Sequence, residues 1–269
     1  MSERGGILGR YARVLEAVAM APNGRSLTEI GRATGLARGT VHRLIAALLE
    51  VGYLAPRDGR KVYVLGPRLL RLTHLAAAPA AVATLVRPLL DDLVARFGET
   101  VFLARLAGTS VTSIATALPD QEGQSFVQPG RSMPVHAAAS AKAIVAFQEP
   151  AVIDACLALP RQRFTEHTRT SEAEVRSDLT RVRRQGYAVC ADELDPGVLS
   201  YAVPVRFDGA GVLYSVGIVG LSSRLGQHPR DVVIAALRAA SEQIATRLQT
   251  GLQEPAVVAP PAPDRWSVA

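Results

Sequence analysis

Residues 26–65, SLTEIGRATGLARGTVHRLIAALLEVGYLAPRDGRKVYVL, decide the fold of the N-terminal part of the chain. Ser26 and Glu29 have the spacing of a capping box, which predicts that a helix begins at Ser26. Gly35 is placed to end this helix after about two turns. A further helix is predicted from 37 to 51, because its apolar residues recur at helical spacing.

The periodicity changes after that helix. Residues 53–55 and 62–65 alternate in the manner of strands, and the Asp58-Gly59 pair between them is a hairpin signal. Upstream, residues 8–19 place their apolar side chains on one helical face. Helix, helix, turn, helix and basic hairpin together predict a winged helix-turn-helix.

The first residues of the second helix of such a motif enter the major groove of DNA and contact base edges, while the wing contacts phosphates or the minor groove. Thr40 has an alternative role as a helix cap, and Arg43 has one as an ordinary solvated side chain. The predicted DNA-binding residues are Thr28, Arg32, Arg38, Gly39, Thr40, His42, Arg43, Arg57, Arg60 and Lys61.

The charge distribution favours the same interpretation. Residues 1–75 hold 12 basic and 5 acidic residues, a net charge of +7, whereas the other 18 basic and 19 acidic residues give −1. All of the excess positive charge therefore lies in the first quarter of the chain, as expected of a module that meets phosphates.

The remainder of the chain mixes strands and helices without strict alternation, which predicts an α+β unit around an antiparallel sheet. Helices are predicted at 67–74, 85–98, 136–147, 150–158, 172–185 and 230–250, and strands at 100–106, 110–117, 187–190, 199–206 and 212–219. The Pro/Ala-rich end, 253–269, is predicted to be disordered.

The sequence LTEIGRATGLARGTVHRLIAALLEVGYLAPRDGRKVYVLGPRLLRL resembles the N-terminal domain of the IclR family of bacterial regulators. PVHAAASAKAIVA and RRQGYAVCADELDPGVLSYAVPVRF are similar to two further segments of that family, so the resemblance extends to about Leu248. Family members typically carry Ser where this chain has Gly39.

The resemblance implies a winged helix-turn-helix at 1–66, a linker helix at 67–84 and a GAF-like effector-binding and oligomerisation domain at 85–252. It also implies a homodimer or homotetramer that binds double-stranded DNA at a pseudo-palindromic operator. Regulation, with repression favoured, would follow the binding of a small metabolite to the second domain.

Mapped onto this chain, the family's effector pocket is lined by Gly130, Ser132, Met133, His136, Cys190, Val198, Ser200, Gly217 and Val219. Cys190, Gly217 and Val219 stand where relatives that bind small polar acids carry acidic or hydroxyl side chains. With Val and Gly in place of polar side chains, the pocket is expected to be roomier and more apolar. Together with the likeness of residues 200–205 to the aromatic-acid branch of the family, this predicts an aromatic or otherwise larger organic acid.

Several of these residues have plainer alternatives. His136 either orients a ligand or packs against the helix that follows it, and Met133 is either a lid or a core residue. Cys190 is either a redox switch or a small buried hydrophobe, which is the usual role of a lone Cys.

Two other classes of protein fit the sequence less well than a regulator does. An enzyme is disfavoured because the sequence has no G-x-S-x-G, G-x-G-x-x-G, Walker or H-E-x-x-H motif, and no catalytic residue, metal site or cofactor is predicted. A protein-interaction module is disfavoured by the localised positive charge. Two cysteines without a C-x-x-C spacing and the absence of a long apolar run predict a cytoplasmic protein that does not enter the membrane.

Overall fold

The computed structural model describes residues 6–21, 23–57, 61–119, 127–207 and 211–251. Its N-terminal part contains helices α1 (Ile7–Ala19), α2 (Leu27–Thr34) and α3 (Arg38–Glu50), with strands β1 (Arg25–Ser26), β2 (Leu54–Pro56) and β3 (Val62–Leu65).

The predicted capping box at the start of α2 is confirmed. The backbone N–H of Ser26 donates to the Glu29 carboxylate at 2.8 Å, and the Glu29 N–H donates to the Ser26 hydroxyl. Gly35 ends the helix in the left-handed conformation, with φ at +67°. Both ends of α2 therefore follow from single residues whose roles are local.

The three helices enclose a small apolar core, and a three-stranded antiparallel sheet in the order β1-β3-β2 lies beside it. Strand β1 was not predicted, because two residues are too few to carry an alternating pattern. The predicted hairpin turn at Asp58-Gly59 lies outside the described residues. The core residues are Val14, Val18, Ile30, Val41, Leu44, Ile45, Leu48 and Leu54.

Replacing Gly66 with alanine is expected to destabilise the chain by about 1–3 kcal/mol, because a Cβ there would overlap backbone. It would lie 2.3 Å from the Gly52 carbonyl oxygen and 2.7 Å from the carbonyl carbon of Tyr53. Gly66 already donates its N–H to the Tyr53 carbonyl at 2.7 Å, so neither segment can move away cheaply. Thermal unfolding followed by circular dichroism measures the effect.

Gly39→Ala is the matched control, since a Cβ at this exposed helical position meets nothing within 4 Å. Alanine favours the helix over glycine, so the control is expected to be neutral or slightly stabilising. Equal melting temperatures for Gly66→Ala and wild type would contradict the steric argument.

The segment predicted as one linker helix, residues 67–84, forms parts of two helices. Helix α4 (Pro67–Ala76) ends before Ala78, and α5 (Pro79–Phe97) begins with Pro79 in its first turn and continues past residue 84. A proline at the first helical position starts a helix readily, whereas the residue before it is driven out of the helical region. Val82 is fully buried in the core of the second part, so α5 belongs to that part from its first turns.

The C-terminal part is built on one antiparallel sheet, as predicted, in the order β5-β4-β8-β7-β6. Its predicted strands are all present, and the helix expected from residue 136 starts at Ala139. The elements are β4 (Thr100–Ala107), β5 (Ser110–Ala117), α6 (Ala139–Val145), α7 (Pro150–Leu157), α8 (Glu172–Gln185), β6 (Ala188–Ala191), β7 (Val198–Phe207), β8 (Gly211–Leu221), α9 (Ser222–Leu225) and α10 (Arg230–Gly251).

The sheet separates two apolar cores. Helices α5 and α10 cover one face, and α6, α7 and α8 cover the other. Because side chains alternate along β8, Val216 and Ile218 enter the first core, while Val219 enters the second. Helix α4 is tied to the sheet where the Tyr214 hydroxyl donates to the carbonyl of His74 at 3.1 Å.

Within the ranges that the structure describes, no single helix is long and apolar enough to cross a membrane. The pair α4 and α5, bent by 98°, passes the same test by length and composition only. Six apolar side chains of α5 are nevertheless buried inside the protein.

Candidate functional site

Seven of the ten predicted DNA-binding residues lie on α2 and α3, and the other three belong to the predicted wing. One face of α3 is buried through Val41, Leu44, Ile45 and Leu48, which fixes the orientation of the helix. Thr40 is partly buried. The exposed members of the predicted set are Thr28, Arg32, Arg38, Gly39, His42, Arg43 and Lys61.

Thr28, Arg32 and Arg38 line one shallow groove where α2 meets the start of α3. Ala37 is the N-cap residue of α3, so Thr40 does not occupy the cap position. No side chain caps the first turn of α3. The Thr40 N–H donates to the Ala37 carbonyl at 2.9 Å, so among the described residues it is the N–H groups of Arg38 and Gly39 that can meet an anion such as a phosphate oxygen.

Of the predicted wing residues, Arg57 directly follows β2 and Lys61 directly precedes β3. The Arg57 N–H donates to the Val62 carbonyl at 2.9 Å, and its guanidinium donates to the Asn23 side-chain oxygen at 3.4 Å. This contact joins the wing to the turn between α1 and α2. Lys61 is exposed, and Arg60 lies outside the described residues.

A second candidate site is a cavity on the face of the sheet covered by α6. It holds about 460 Å³ of unfilled space, part of which is open to solvent. Six of the nine predicted pocket residues line it. The lining consists of Phe102, Val127, Arg131, Ser132, Met133, Pro134, Ala138, Ala139, Ser140, Cys190, Leu194, Asp195, Val198, Ser200 and Val219.

Gly217 is on the correct face of β8 but is covered by the ring of Phe102. A Cβ on Gly217 would lie 2.8 Å from Cζ of Phe102, so the ring fills the space that a side chain would take. The expectation that glycine here enlarges the pocket is therefore wrong. Phe102 makes the cavity more apolar without making it roomier at this point.

Gly130 and His136 also lie away from the cavity lining. Gly130 forms a turn with φ at +85° and donates its N–H to the Ser113 carbonyl. His136 borders a neighbouring cavity, where its ring stacks on Phe164 and its Nε2 donates to the Gln162 carbonyl at 2.8 Å. Burial lowers the pKa of His136, so the arrangement fits its packing role.

Met133 is buried and lies between the two cavities, since it lines both. It therefore separates them and is not an exposed lid. Sequence reasoning missed nine of the fifteen lining residues, among them Phe102, Ser140, Leu194 and Asp195. The alternation of side chains along β4 predicts that Phe102 is buried, but no local feature of the sequence indicates which cavity it borders.

Cys190 is expected to be chemically inert in the folded protein. Burial raises the pKa of its thiol to about 11, so at pH 8 about one thiol in a thousand is ionised. Burial also raises the pKa of Cys156. Because the thiolate is the reactive form, neither residue should be labelled appreciably by iodoacetamide at pH 8 in the native state, as mass spectrometry would show.

Unfolding in urea is the control for this prediction, since both thiols should then react completely. Rapid labelling of Cys190 in the native protein would contradict the assignment and favour a redox role. The raised pKa instead supports the interpretation of Cys190 as a small buried hydrophobe.

A buried ionic cluster supports one wall of the cavity. Lys142, on α6, is fully buried and its ammonium lies 3.1 Å from the Asp178 carboxylate and 2.9 Å from that of Glu193. Arg169 lies 2.9 Å from Glu193. Glu193 immediately precedes Leu194, so the cluster holds in place a segment that lines the cavity.

Among the residues that the structure describes, no group of three or more His, Cys, Asp or Glu side chains is placed to hold a metal ion. Within the same ranges, the polar groups of the cavity are three serine hydroxyls, one thiol and the exposed Arg131 and Asp195. Such a site suits binding of a small organic molecule.

Two family models match the chain. The IclR helix-turn-helix domain matches residues 8–58, and the model described as bacterial transcriptional regulator IclR C-terminal matches residues 74–246. Together they cover most of both units and contain the cavity, whereas Arg60 and Lys61 of the predicted DNA-binding set fall between the two matches.

Relatives that match over most of their length support the same family. The regulator BhcR of Paracoccus denitrificans is 30% identical over 257 residues, covering 93% of this chain and 91% of the relative. TtgV of Pseudomonas putida is 32% identical over 234 residues, covering 86% and 87%. Both are HTH-type transcriptional regulators.

A solved structure shares the architecture. The crystal structure of an IclR homologue from Microbacterium hydrocarbonoxydans, complexed with 4-hydroxybenzoate, superposes with a TM-score of 0.58 at 25% identity, covering 90% of this chain and 99% of that one. The similar proteins are regulators and not enzymes, as the sequence predicts. The chain therefore belongs to the IclR family of bacterial transcriptional regulators, which bind DNA through the helix-turn-helix and respond to a small-molecule effector.

Proposed function

We propose that this protein represses a catabolic operon and that a small aromatic acid is its effector. The observation that carries the proposal is the composition of the cavity under α6. Its buried lining residues are apolar or carry only a hydroxyl or thiol, and its two charged residues, Arg131 and Asp195, are exposed.

The cavity fits a ring better than a small polar acid. Phe102, Val198 and Val219 present apolar surface, and Cys190 adds a protonated thiol. A compact acid such as glyoxylate needs several converging donors, because burying a carboxylate without them is costly. An aromatic acid buries its ring in the cavity and keeps its carboxylate near the mouth.

The Microbacterium hydrocarbonoxydans homologue supports this class of effector, since its structure contains 4-hydroxybenzoate. Six predicted residues are proposed to contact the effector here, namely Ser132, Met133, Cys190, Val198, Ser200 and Val219.

The DNA-binding surface is proposed to act in a homodimer or homotetramer on a pseudo-palindromic operator, since two-fold symmetry of a protein is mirrored in its half-sites. Exposed Arg38, His42 and Arg43 would contact bases, while Arg32 and Lys61 would contact phosphates.

We place the end of the DNA-binding domain near residue 66 and the start of the effector-binding domain near residue 79. The second boundary lies there because Val82 already belongs to the core of the second domain.

An electrophoretic mobility shift of the promoter DNA flanking the protein's own gene tests the proposal. It is repeated across salt concentrations and with benzoate, hydroxybenzoates, pyruvate and glyoxylate. A specific shift that weakens steeply with salt and that an aromatic acid releases supports it. Release of the DNA by glyoxylate or pyruvate alone would overturn the proposal of an aromatic effector. Tighter DNA binding in the presence of the aromatic acid would overturn the proposal that the effector relieves repression.

A further inference from the structure

Ser140 is the one cavity-lining residue of the described chain whose buried polar group has no partner. Only 1% of the residue is exposed, and its Oγ makes no hydrogen bond with the described protein. Ser140 lies in the first turn of α6 and lines the cavity. An unsatisfied buried hydroxyl destabilises a fold, so such groups are rare and call for an explanation.

Neighbouring buried serines show what a structural hydroxyl does in this unit. Ser215 donates to the Ser140 carbonyl at 3.0 Å, and Ser241 donates to the Pro204 carbonyl at 2.8 Å. Apart from Ser140, the unpartnered buried side-chain atom found in the described ranges is Nδ1 of His74, which does not line the cavity. The hydroxyl of Ser140 is therefore left for a molecule that binds in the cavity.

The depth of Ser140 restricts the chemistry of that partner. The charged lining residues, Arg131 and Asp195, are exposed, whereas Ser140 is enclosed with Phe102 and Val219. A carboxylate placed beside Ser140 would lose its hydration for one hydroxyl, which is unfavourable. A neutral hydroxyl needs only one or two hydrogen bonds, and Ser140 can donate one or accept one.

We propose that Ser140 is a specificity-determining residue, whose Oγ hydrogen-bonds the ring hydroxyl of a hydroxylated aromatic acid held with its carboxylate toward the mouth. This rests on the proposed function, because it assumes that the cavity is the effector site. Discrimination follows from the unpaired group: an acid without the hydroxyl leaves Ser140 unsatisfied, whereas the matching acid satisfies it.

The test measures the affinities of benzoate, 3-hydroxybenzoate and 4-hydroxybenzoate by calorimetry for the full-length protein and for Ser140→Ala. The wild type is expected to bind the better hydroxybenzoate at least about tenfold more tightly than benzoate. Ser140→Ala should reduce this ratio to about one, mainly by weakening the hydroxybenzoate. A wild type without the preference, or a variant that retains it, overturns the inference.

Ser241→Ala is the matched control, because it removes a buried serine hydroxyl that has a partner and lies on the other core. It should melt at a lower temperature and keep the tenfold preference. Ligand-free Ser140→Ala should melt at the wild-type temperature or higher, since it loses an unsatisfied group. A lower melting temperature for Ser140→Ala would show a structural hydroxyl and overturn the inference.

The two proposals fail in different ways. If the wild type binds a hydroxybenzoate and Ser140→Ala binds it equally well, only the role of Ser140 is wrong. If none of the three acids binds and glyoxylate or pyruvate does, the aromatic effector class falls and the role of Ser140 falls with it.

Discussion

Replacing Lys142 with methionine is expected to destabilise the C-terminal unit by about 3–5 kcal/mol, the usual consequence of removing one member of a buried ion pair. Methionine keeps the length and most of the volume of lysine. The substitution removes the fully buried ammonium between the Asp178 and Glu193 carboxylates, which are 3% and 6% exposed, and leaves the partly exposed Arg169 and Arg181 beside them. Urea unfolding followed by circular dichroism measures the change.

The exposed pair Arg87 and Asp91 provides the control. Their side chains also form a close ion pair, at 2.7 Å, but both are about half exposed. Arg87→Met is expected to change stability by about 0.5 kcal/mol or less, because a solvated pair contributes little. Equal effects of Lys142→Met and Arg87→Met would contradict the importance of burial.

A second replacement separates lost charge balance from lost packing. In Lys142→Met combined with Glu193→Gln, the carboxylate closest to the lost ammonium becomes neutral, while Arg169 and Arg181 still face Asp178, so part of the stability should return. If packing alone were responsible, the double variant would be no more stable than Lys142→Met.

The cluster also connects stability to the effector site. Glu193 is held by Lys142 through its carboxylate and by the Thr168 hydroxyl, which donates to its carbonyl at 2.7 Å. The residues that follow, Leu194 and Asp195, line the cavity. Loss of the cluster should therefore weaken effector binding at urea concentrations where the fold still persists.

Features set by neighbouring residues were predictable from the sequence. The capping box of Ser26 and Glu29, the glycine that ends α2 and the alternation of the sheet strands each depend on a few adjacent positions. These signals suffice to predict the folds of the N-terminal and C-terminal parts and the exposed face of α3. The sequence predicts the end of α4 to within two residues but places the start of α5 at residue 85 and not at Pro79, because the alanines in between carry no clear apolar periodicity.

Features set by distant contacts were not predictable in the same way. Lys142 lies 36 residues from Asp178 and 51 from Glu193, so nothing local identifies the partners. A lysine within the small apolar helix ASAKAIV does indicate an unusual environment. Nothing near Gly217 in the sequence indicates that the ring of Phe102, its partner on the adjacent strand, covers it.

Alanine substitutions at Arg38 and Arg43 are expected to weaken operator binding by about 5- to 150-fold each, the effect of losing one bidentate contact to guanine. Both side chains are exposed on the outer face of α3, near its start. Competition assays with single base changes in the half-site should show relaxed specificity at one position for each variant. Non-specific DNA should be bound almost as before.

Lys61→Ala is expected to behave differently, since a wing residue that meets phosphate weakens binding to all sequences and lowers the slope of log affinity against log salt by about one. Arg184→Ala is the matched control for charge, because Arg184 is exposed on α8, away from α3 and the wing. If Arg38→Ala and Arg43→Ala lowered specific and non-specific binding equally, α3 would be contacting the backbone, and base recognition would have to come from elsewhere. If Arg184→Ala weakened binding as much as they do, the effect would be one of net charge alone.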